Sequence, residues 1–596
     1  MTRDLGSGAS TVCAAFQHTR QIDPEAVAFR TPGNTVSVTW SAYDSRVRSL
    51  ASGLHALGVG RGDVVALMIR NRPEFALIDS AAMHLGAITL SVYNTSSPEQ
   101  LAYILEDSGA QIMICEEHML DAVTASGSPL QSIVSVDGTA IGADHTLEQV
   151  ACMTAPDFDF ESAWRSVEPD DAVTLIYTSG TTGNPKAVRI THANVIAAAR
   201  GLNEVIPIRF GDRITSFMPA AHIADRVSSL YWMAILGMQV TYVEDPKAIL
   251  PALLDTRPTI WFAVPRVWEK FRGALEAKIE ADTDRERQTL THHAIEVGVR
   301  HARTTLRGGE MSAAELADWA VLDREILSSL RSAIGLDHAR VSICGSAPIS
   351  PETLEFFLAI GIKVVEVWGM TETTGIGTMN PPDAIRLGTV GIALPGNEVK
   401  LADDGELLVR GPVCFGGYRN APELTKEAVA PSGWVRTGDI ATIDNDGYVR
   451  IVDRKKEIII NAAGKNMSPA NIENAIKAAC PLIGSVAVIG DGKPYNVALL
   501  ALDSDAITAL ANRLGLSDHS LAALVENEQI RAVIDAGVEA GNTTLSRVEQ
   551  VKKYRVLDNF WDAGGDELTP TMKLRRKPIS EKYATHIDAL YESEST

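Results

Sequence analysis

Apolar residues Val47, Leu50, Leu54 and Leu57 recur at three- and four-residue spacing and lead into the apolar run VVALMI at 64–69, a pattern that predicts a helix feeding a buried strand. A helical pattern over 73–86 and a strand near 111–115 continue the alternation, as expected of a layered α/β body with helices on the faces of a sheet. From about 267 to 334 Glu, Arg, Ala and Leu dominate and strand formers are scarce. That stretch reads as a helical excursion broken at Arg307-Gly308-Gly309, after which strands return at 340–344 and 363–368. Beyond 405, short strands with Gly and Asp turns, GELLVRG and then DNDGYVRIVDR, predict a small β-rich region. The charged run DRKKE at 453–457 separates it from a last stretch with its own strands, VAVIG at 486–490 and NVALLAL at 496–502, and a domain boundary is expected there. Residues 1–10, rich in Gly and Ser, are expected to be loose.

Composition narrows the functional classes. The 596 residues, 45% of them hydrophobic, are enough for several packed domains. A net charge of −21 opposes a phosphate backbone, so nucleic acid is not an expected partner. The six cysteines, at 13, 115, 152, 344, 414 and 480, form no CxxC pair, which points to a reducing cytoplasm rather than a disulfide framework. The first residues, MTRDLGSGAS, lack the apolar core of a signal peptide, and nowhere do about 18 apolar residues run together. Spanning a membrane is excluded on this reading, while peripheral contact with one stays open.

The segment richest in chemistry is YTSGTTGNPKAV at 177–188, a turn leaving the apolar strand VTLIY. Gly180 and Gly183 allow close backbone approach, the hydroxyls of Thr178, Ser179, Thr181 and Thr182 can donate to anionic oxygens, and Lys186 adds a charge, so the loop suits phosphate. It lacks the G-x-x-x-x-G-K-[ST] spacing of an ordinary P-loop, which disfavours a kinase or motor ATPase. In WGMTETTG at 368–375, Trp368 offers a flat face, Thr371 a hydroxyl and Glu372 a hard oxygen ligand.

These segments, together with GSAPIS at 345–350, GWVRTGDIATIDNDGYVRIVDRKKEIII at 433–460 and NAAGKNMSPANIE at 461–473, resemble in order and spacing the signatures of the adenylate-forming superfamily of acyl-CoA synthetases, adenylation domains and luciferases. LTPTMKLRRKPI at 568–579, PAAHIADR at 219–226 and VPRVWEKF at 264–271 resemble its long-chain fatty-acid–CoA ligase branch. The resemblance implies an N-terminal domain over 1–452 of layered α/β subdomains plus a distorted β-barrel, a hinge at 453–456, and a small mobile α+β domain over 457–596 that rotates to present different faces to one site.

It also implies roles. Thr178 and Glu372 would hold Mg²⁺, and residues 178–186 the β- and γ-phosphates of ATP. Gly345, Ser346 and Ala347 would flank the adenine, with Trp368, Gly369 and Met370 beside it, Thr371 at the α-phosphate, and Asp439 and Arg454 at the ribose. Lys456 would lie at the hinge, Gly464 on the pantetheine path of coenzyme A, and His222, with Gly345 and Gly369, beside the acyl pocket. Lys573 would approach the carboxylate and α-phosphate during adenylation, where a fixed cation offsets the charge of two meeting anions. Lys577 or Lys582 takes that part if the register differs.

The chain departs from the family in four places: Trp368 replaces the usual Tyr, Ala187 a Gly, Met572 a Gly before the lysine, and Arg226 an aromatic tunnel gate of some bacterial relatives. Ala187 fits only with negative φ. The expected reaction is activation of a long-chain fatty acid by ATP to an acyl-adenylate and transfer to coenzyme A. Alternatives are loading of a carrier protein, another acid such as a sterol side chain or an aromatic acid, and a catalytically silent nucleotide-binding protein. The oligomeric state is open, a homodimer included.

Overall fold

The computed structural model describes residues 5–138, 141–178, 184–462, 465–569 and 572–592. Thr39 caps the helix Trp40–Ala56 by accepting the Ala42 N–H, and the helix buries Val47, Leu50 and Leu54. The chain then enters the fully buried strand Val64–Met68. That strand pairs in parallel with Ile88–Ser91 on one side and Ile112–Cys115 on the other. The resulting seven-stranded sheet runs in the order His145–Thr146, Ser132–Ser135, Ile112–Cys115, Val64–Met68, Ile88–Ser91, Ala172–Thr178, Lys186–Thr191. Only the last strand is antiparallel to its neighbour, Thr178 pairing with Lys186 at the end of the two strands.

A second mixed sheet orders Arg213–Ser216, Gln239–Tyr242, Val27–Arg30 and Ser37–Thr39. In a third, Ile260–Ala263, Val341–Cys344 and Val364–Trp368 run parallel, before Thr378–Met379 and Ile392–Ala393 close it antiparallel. The helical excursion is formed by Pro265–Glu280, Arg285–Leu306 and Ala313–Leu322, and it breaks at Gly308, whose φ of +69° ends the long helix. One apolar core runs from Leu5 to Val435 across these layers. The strands Glu398–Leu401, Glu406–Arg410, Val435–Ile443 and Val449–Arg454 form an antiparallel unit packed beneath Trp368.

Residues 455–458 join this unit to a smaller body. Its sheet, Ile483–Ile489, Asn496–Leu502 and Val551–Val556, carries the helices Pro469–Ala479 and Glu528–Thr543 on a separate core that includes Ile472, Ile476, Leu500 and Ile530. A further apolar cluster joins Leu499, Leu557, Trp561, Tyr583 and Ile587. The fold is mixed α/β with a large N-terminal and a small C-terminal domain.

The expectation of a loose start is corrected for residues 5–10. Leu5 and Gly6 are buried, and a Cβ on Gly6 would stand 2.9 Å from both the Ala15 Cβ and the Ile235 carbonyl oxygen, so glycine here serves close packing rather than freedom. No described helix is long and apolar enough to cross a membrane.

Candidate functional site

The strand Val364–Trp368 ends in a tight turn over Gly369–Gly375. A Cβ on Gly369 would lie 2.3 Å from the Gly375 carbonyl oxygen, so only glycine lets the turn close. Trp368 is buried against Leu407, Val409 and Ala441, and its indole N–H donates to Asp439 Oδ2 at 2.8 Å. Asp439 sits inside the strand Val435–Ile443, which Gly438 (φ +73°) and a register shift after Ile440 distort. Arg454, its cross-strand partner, pairs with Asp439 Oδ1 at 2.7 Å. Burial raises the Asp439 carboxyl above its ordinary value, while Arg454, Trp368 and Lys573 oppose the rise. Each carboxylate oxygen keeps a lone pair for a further donor.

At the edge of the seven-stranded sheet, Thr178 and Lys186 face each other across the two antiparallel strands. Ser179, Gly180, Thr181, Thr182 and Gly183 lie outside the described residues, as does Gly464. Ala187 is buried within the strand Lys186–Thr191 and is not among the residues of positive φ, which meets the condition its methyl group imposes. The Lys186 ammonium stands 5.2 Å from the centre of the Tyr418 ring. Tyr418 donates its hydroxyl to Glu372 Oε1 at 2.7 Å, and the Phe415 N–H holds the Glu372 carbonyl at 2.9 Å. Tyr418 is a site residue the sequence reading missed; its only local signal is an aromatic after Gly416-Gly417.

From the small body, Lys573 faces this cluster. Thr569 N–H donates to the Lys573 carbonyl at 2.8 Å, and Lys573 N–H to Thr569 Oγ1 at 3.0 Å. Met572, the residue that replaces the family glycine, takes φ +64°. Desolvation and then Arg454 lower the Lys573 ammonium below the usual lysine value, while Asp439, Glu457 and Glu372 hold it up; the residue itself keeps one side open to solvent. Lys577 instead faces Glu581, and Lys582 pairs with Asp566 and Glu567, both on the small body's own surface.

His222 accepts the Ala224 N–H on Nδ1, which leaves its proton on Nε2. Burial first, and then the Lys573 charge, push it down to about 3, so the ring is neutral at physiological pH. Arg226 faces the core, fully buried in an ion pair with Asp79 and bonded to Thr89, and so serves no gate. Gly345 is buried, a Cβ there meeting Val367 Cγ2 at 2.6 Å; Ser346 takes φ +74°, and Ala347 is exposed. Met370 is half-buried and Thr371 buried in the turn beside Glu372, while Lys456 is exposed on the connection. Glu372, Asp439, Arg454, His222 and Lys573 thus come together from both bodies, with Lys186 joined through Tyr418 and Thr178 paired to Lys186 across the strands.

The AMP-binding enzyme family matches residues 16–419, and its C-terminal domain matches 456–595. The chain belongs to the AMP-binding enzyme family. Within that adenylate-forming group it is 52% identical over 437 residues, 73% of this chain and 76% of the other, to a Mycobacterium tuberculosis protein named as the fatty-acid–CoA ligase fadD11. It is 35% identical to the long-chain-fatty-acid–CoA ligase FadD15 of Mycobacterium bovis, over 99% of this chain and 98% of that one. Among solved AMP-binding structures, the adenylation domain of a carboxylate reductase from Mycobacterium chelonae superposes with a TM-score of 0.77 at 20% identity, covering 99% of this chain and 93% of that one. The anthranilate CoA ligase AuaEII in complex with anthranoyl-AMP does so at 0.73 and 18%, covering 97% and 98%. Both share the fold.

Proposed function

We propose that this AMP-binding enzyme is a long-chain fatty-acid–CoA ligase that joins a fatty carboxylate to the α-phosphate of ATP, releases pyrophosphate, and then lets the thiol of coenzyme A displace AMP. The observation that carries the reading is the convergence of Lys573, delivered by the small body, on Glu372, Asp439, Arg454 and His222. Lys573 then offsets the charge that builds as carboxylate meets phosphate, without moving a proton. The neutral His222, bearing its proton on Nε2, donates toward the same carboxylate. Asp439 accepts from the ribose while Arg454 steadies it, the Gly345–Ala347 turn and Trp368 border the adenine, and Thr371 meets the α-phosphate. Hinge 453–456, with Lys456, lets domain 457–596 turn about domain 1–452.

For Mg²⁺ the donor set fits: Tyr418 engages one oxygen of the buried Glu372, no described donor reaches the other, and Thr178, which carries a hydroxyl, ends the strand Ala172–Thr178. One carboxylate and one hydroxyl suit an ion that keeps waters and phosphate oxygens in its shell. Held by Glu372 and Thr178, Mg²⁺ would supply positive charge to offset that of the phosphates.

The test is pyrophosphate release from ATP and Mg²⁺ with acids from acetate to stearate, with and without coenzyme A. Release should climb with chain length, as each buried CH₂ adds about 0.8 kcal/mol, and become multiple-turnover only with coenzyme A. A flat profile overturns the long-chain assignment. Lys573→Ala should cut adenylate formation while sparing thioester formation from supplied acyl-adenylate; equal loss of both overturns the role given to Lys573.

A further inference from the structure

The helix Pro265–Glu280 meets the small body through charges of alternating sign. Arg266 pairs with Asp503, Glu269 lies 3.5 Å from Lys477, and Lys270 lies 2.8 Å from Asp505. Residues at i, i+3 and i+4 share one helix face, so this face reads plus, minus, plus. Against it the small body sets minus, plus, minus, drawn from the end of the helix Pro469–Ala479 and the start of the helix Ser504–Leu514. The two faces therefore meet with complementary charge at all three positions.

Asp503 divides its carboxylate. Oδ1 caps the helix Ser504–Leu514 through the N–H groups of Asp505 and Ala506, at 3.1 and 2.9 Å, and Oδ2 is left for Arg266. The Arg266–Asp503 pair is well shielded, with side chains 22% and 11% exposed, whereas Lys270–Asp505 is open to solvent and salt. None of these six residues touches the cluster around Lys573. Lys477, Asp503 and Asp505 belong to the small body, which also carries Lys573, whereas Arg266, Glu269 and Lys270 belong to the large one.

We propose that Arg266, Glu269 and Lys270 are positioning residues for adenylate formation: they dock the small body in the orientation that delivers Lys573. The inference rests on the reading of Lys573 as the adenylation lysine. Lys270–Asp505, the most open of the three pairs, is the weakest, and Arg266–Asp503 the most shielded.

The test measures both half-reactions for Lys270→Glu, Asp505→Lys, their double exchange, Asp503→Asn, which keeps an oxygen for the cap, and Lys573→Ala. Lys270→Glu and Asp503→Asn should each slow single-turnover adenylate formation by about three- to tenfold, with thioester formation from supplied acyl-adenylate unchanged or faster. The double exchange should restore adenylation to within about twofold of the native rate. Failure of that rescue, equal loss in both half-reactions, or an unchanged adenylation rate beside a Lys573→Ala variant that has lost it, overturns the positioning role alone. Adenylation that survives Lys573→Ala overturns the reading of the lysine, and the proposal with it.

Discussion

Tyr418 shows what a single side chain contributes here. Its hydroxyl holds Glu372 and its ring carries the Lys186 ammonium, so it ties the phosphate-side hairpin to the carboxylate proposed for Mg²⁺. A hydrogen bond to a charged group is worth about 1.5–3 kcal/mol. Tyr418→Phe, which keeps the ring, should therefore slow adenylate formation at least tenfold and raise the Mg²⁺ concentration for half-maximal rate, with little change in the thermal midpoint. An Mg²⁺ titration of pyrophosphate release checks this. Met572 poses a different problem, since its left-handed backbone costs an L-residue roughly 1–2 kcal/mol. Met572→Gly should preserve single-turnover adenylation, whereas the β-branched Met572→Val should slow it severalfold by pulling Lys573 out of place. At this scale the sequence exposes residues whose chemistry is local, such as Lys573, Asp439 and Glu372. Tyr418, the Trp368 indole bond to Asp439 and the pairing of Arg266 with Asp503 depend on partners 46, 71 and 237 positions away, and no local pattern contains them.

Elements follow periodicity more faithfully than sites do. The helix Trp40–Ala56, the strands Val64–Met68 and Asn496–Leu502 and the break at Gly308 all stand where apolar spacing and glycine place them. The reading fails where backbone and packing compete with composition. Residues 5–10 look flexible, yet Gly6 packs closely. The turn after Trp368 is the element with least tolerance. Gly369→Ala sets a methyl against a backbone carbonyl and should cost about 1–3 kcal/mol while displacing Trp368 and Thr371. Thermal melting together with equilibrium binding of AMP reads both effects, and unchanged AMP binding would show that the turn can yield.

Across the whole molecule, buried titratable groups shape the response to pH. Burial pushes His84 and His192 each down to about 4, so both stay neutral in the fold while the unfolded chain protonates them near 6.5. Their folded values are depressed, so their contribution is complete above about 6.5 and is lost as pH falls toward 4, at up to about 1.4 kcal/mol per pH unit for each. Glu366, raised to about 8 by burial, acts in the opposite sense, its contribution draining away as pH rises from its ordinary value through about 8. Urea midpoints should accordingly fall on both sides of neutrality. His192→Gln should flatten the acid limb and Glu366→Gln the alkaline limb, whatever each does to stability at pH 7; limbs of unchanged slope would assign the loss to other groups.

The short connection over 455–458 matters for a reason of concentration. Ion pairs as open as Lys270–Asp505 could not hold two free proteins together at cellular levels, but a tether of a few residues confines the small body at an effective concentration in the millimolar range. Weak docking then suffices, and it can still release. A single proteolytic nick in that connection would leave both apolar cores folded and every site residue present, yet the two pieces would drift apart and turnover would cease.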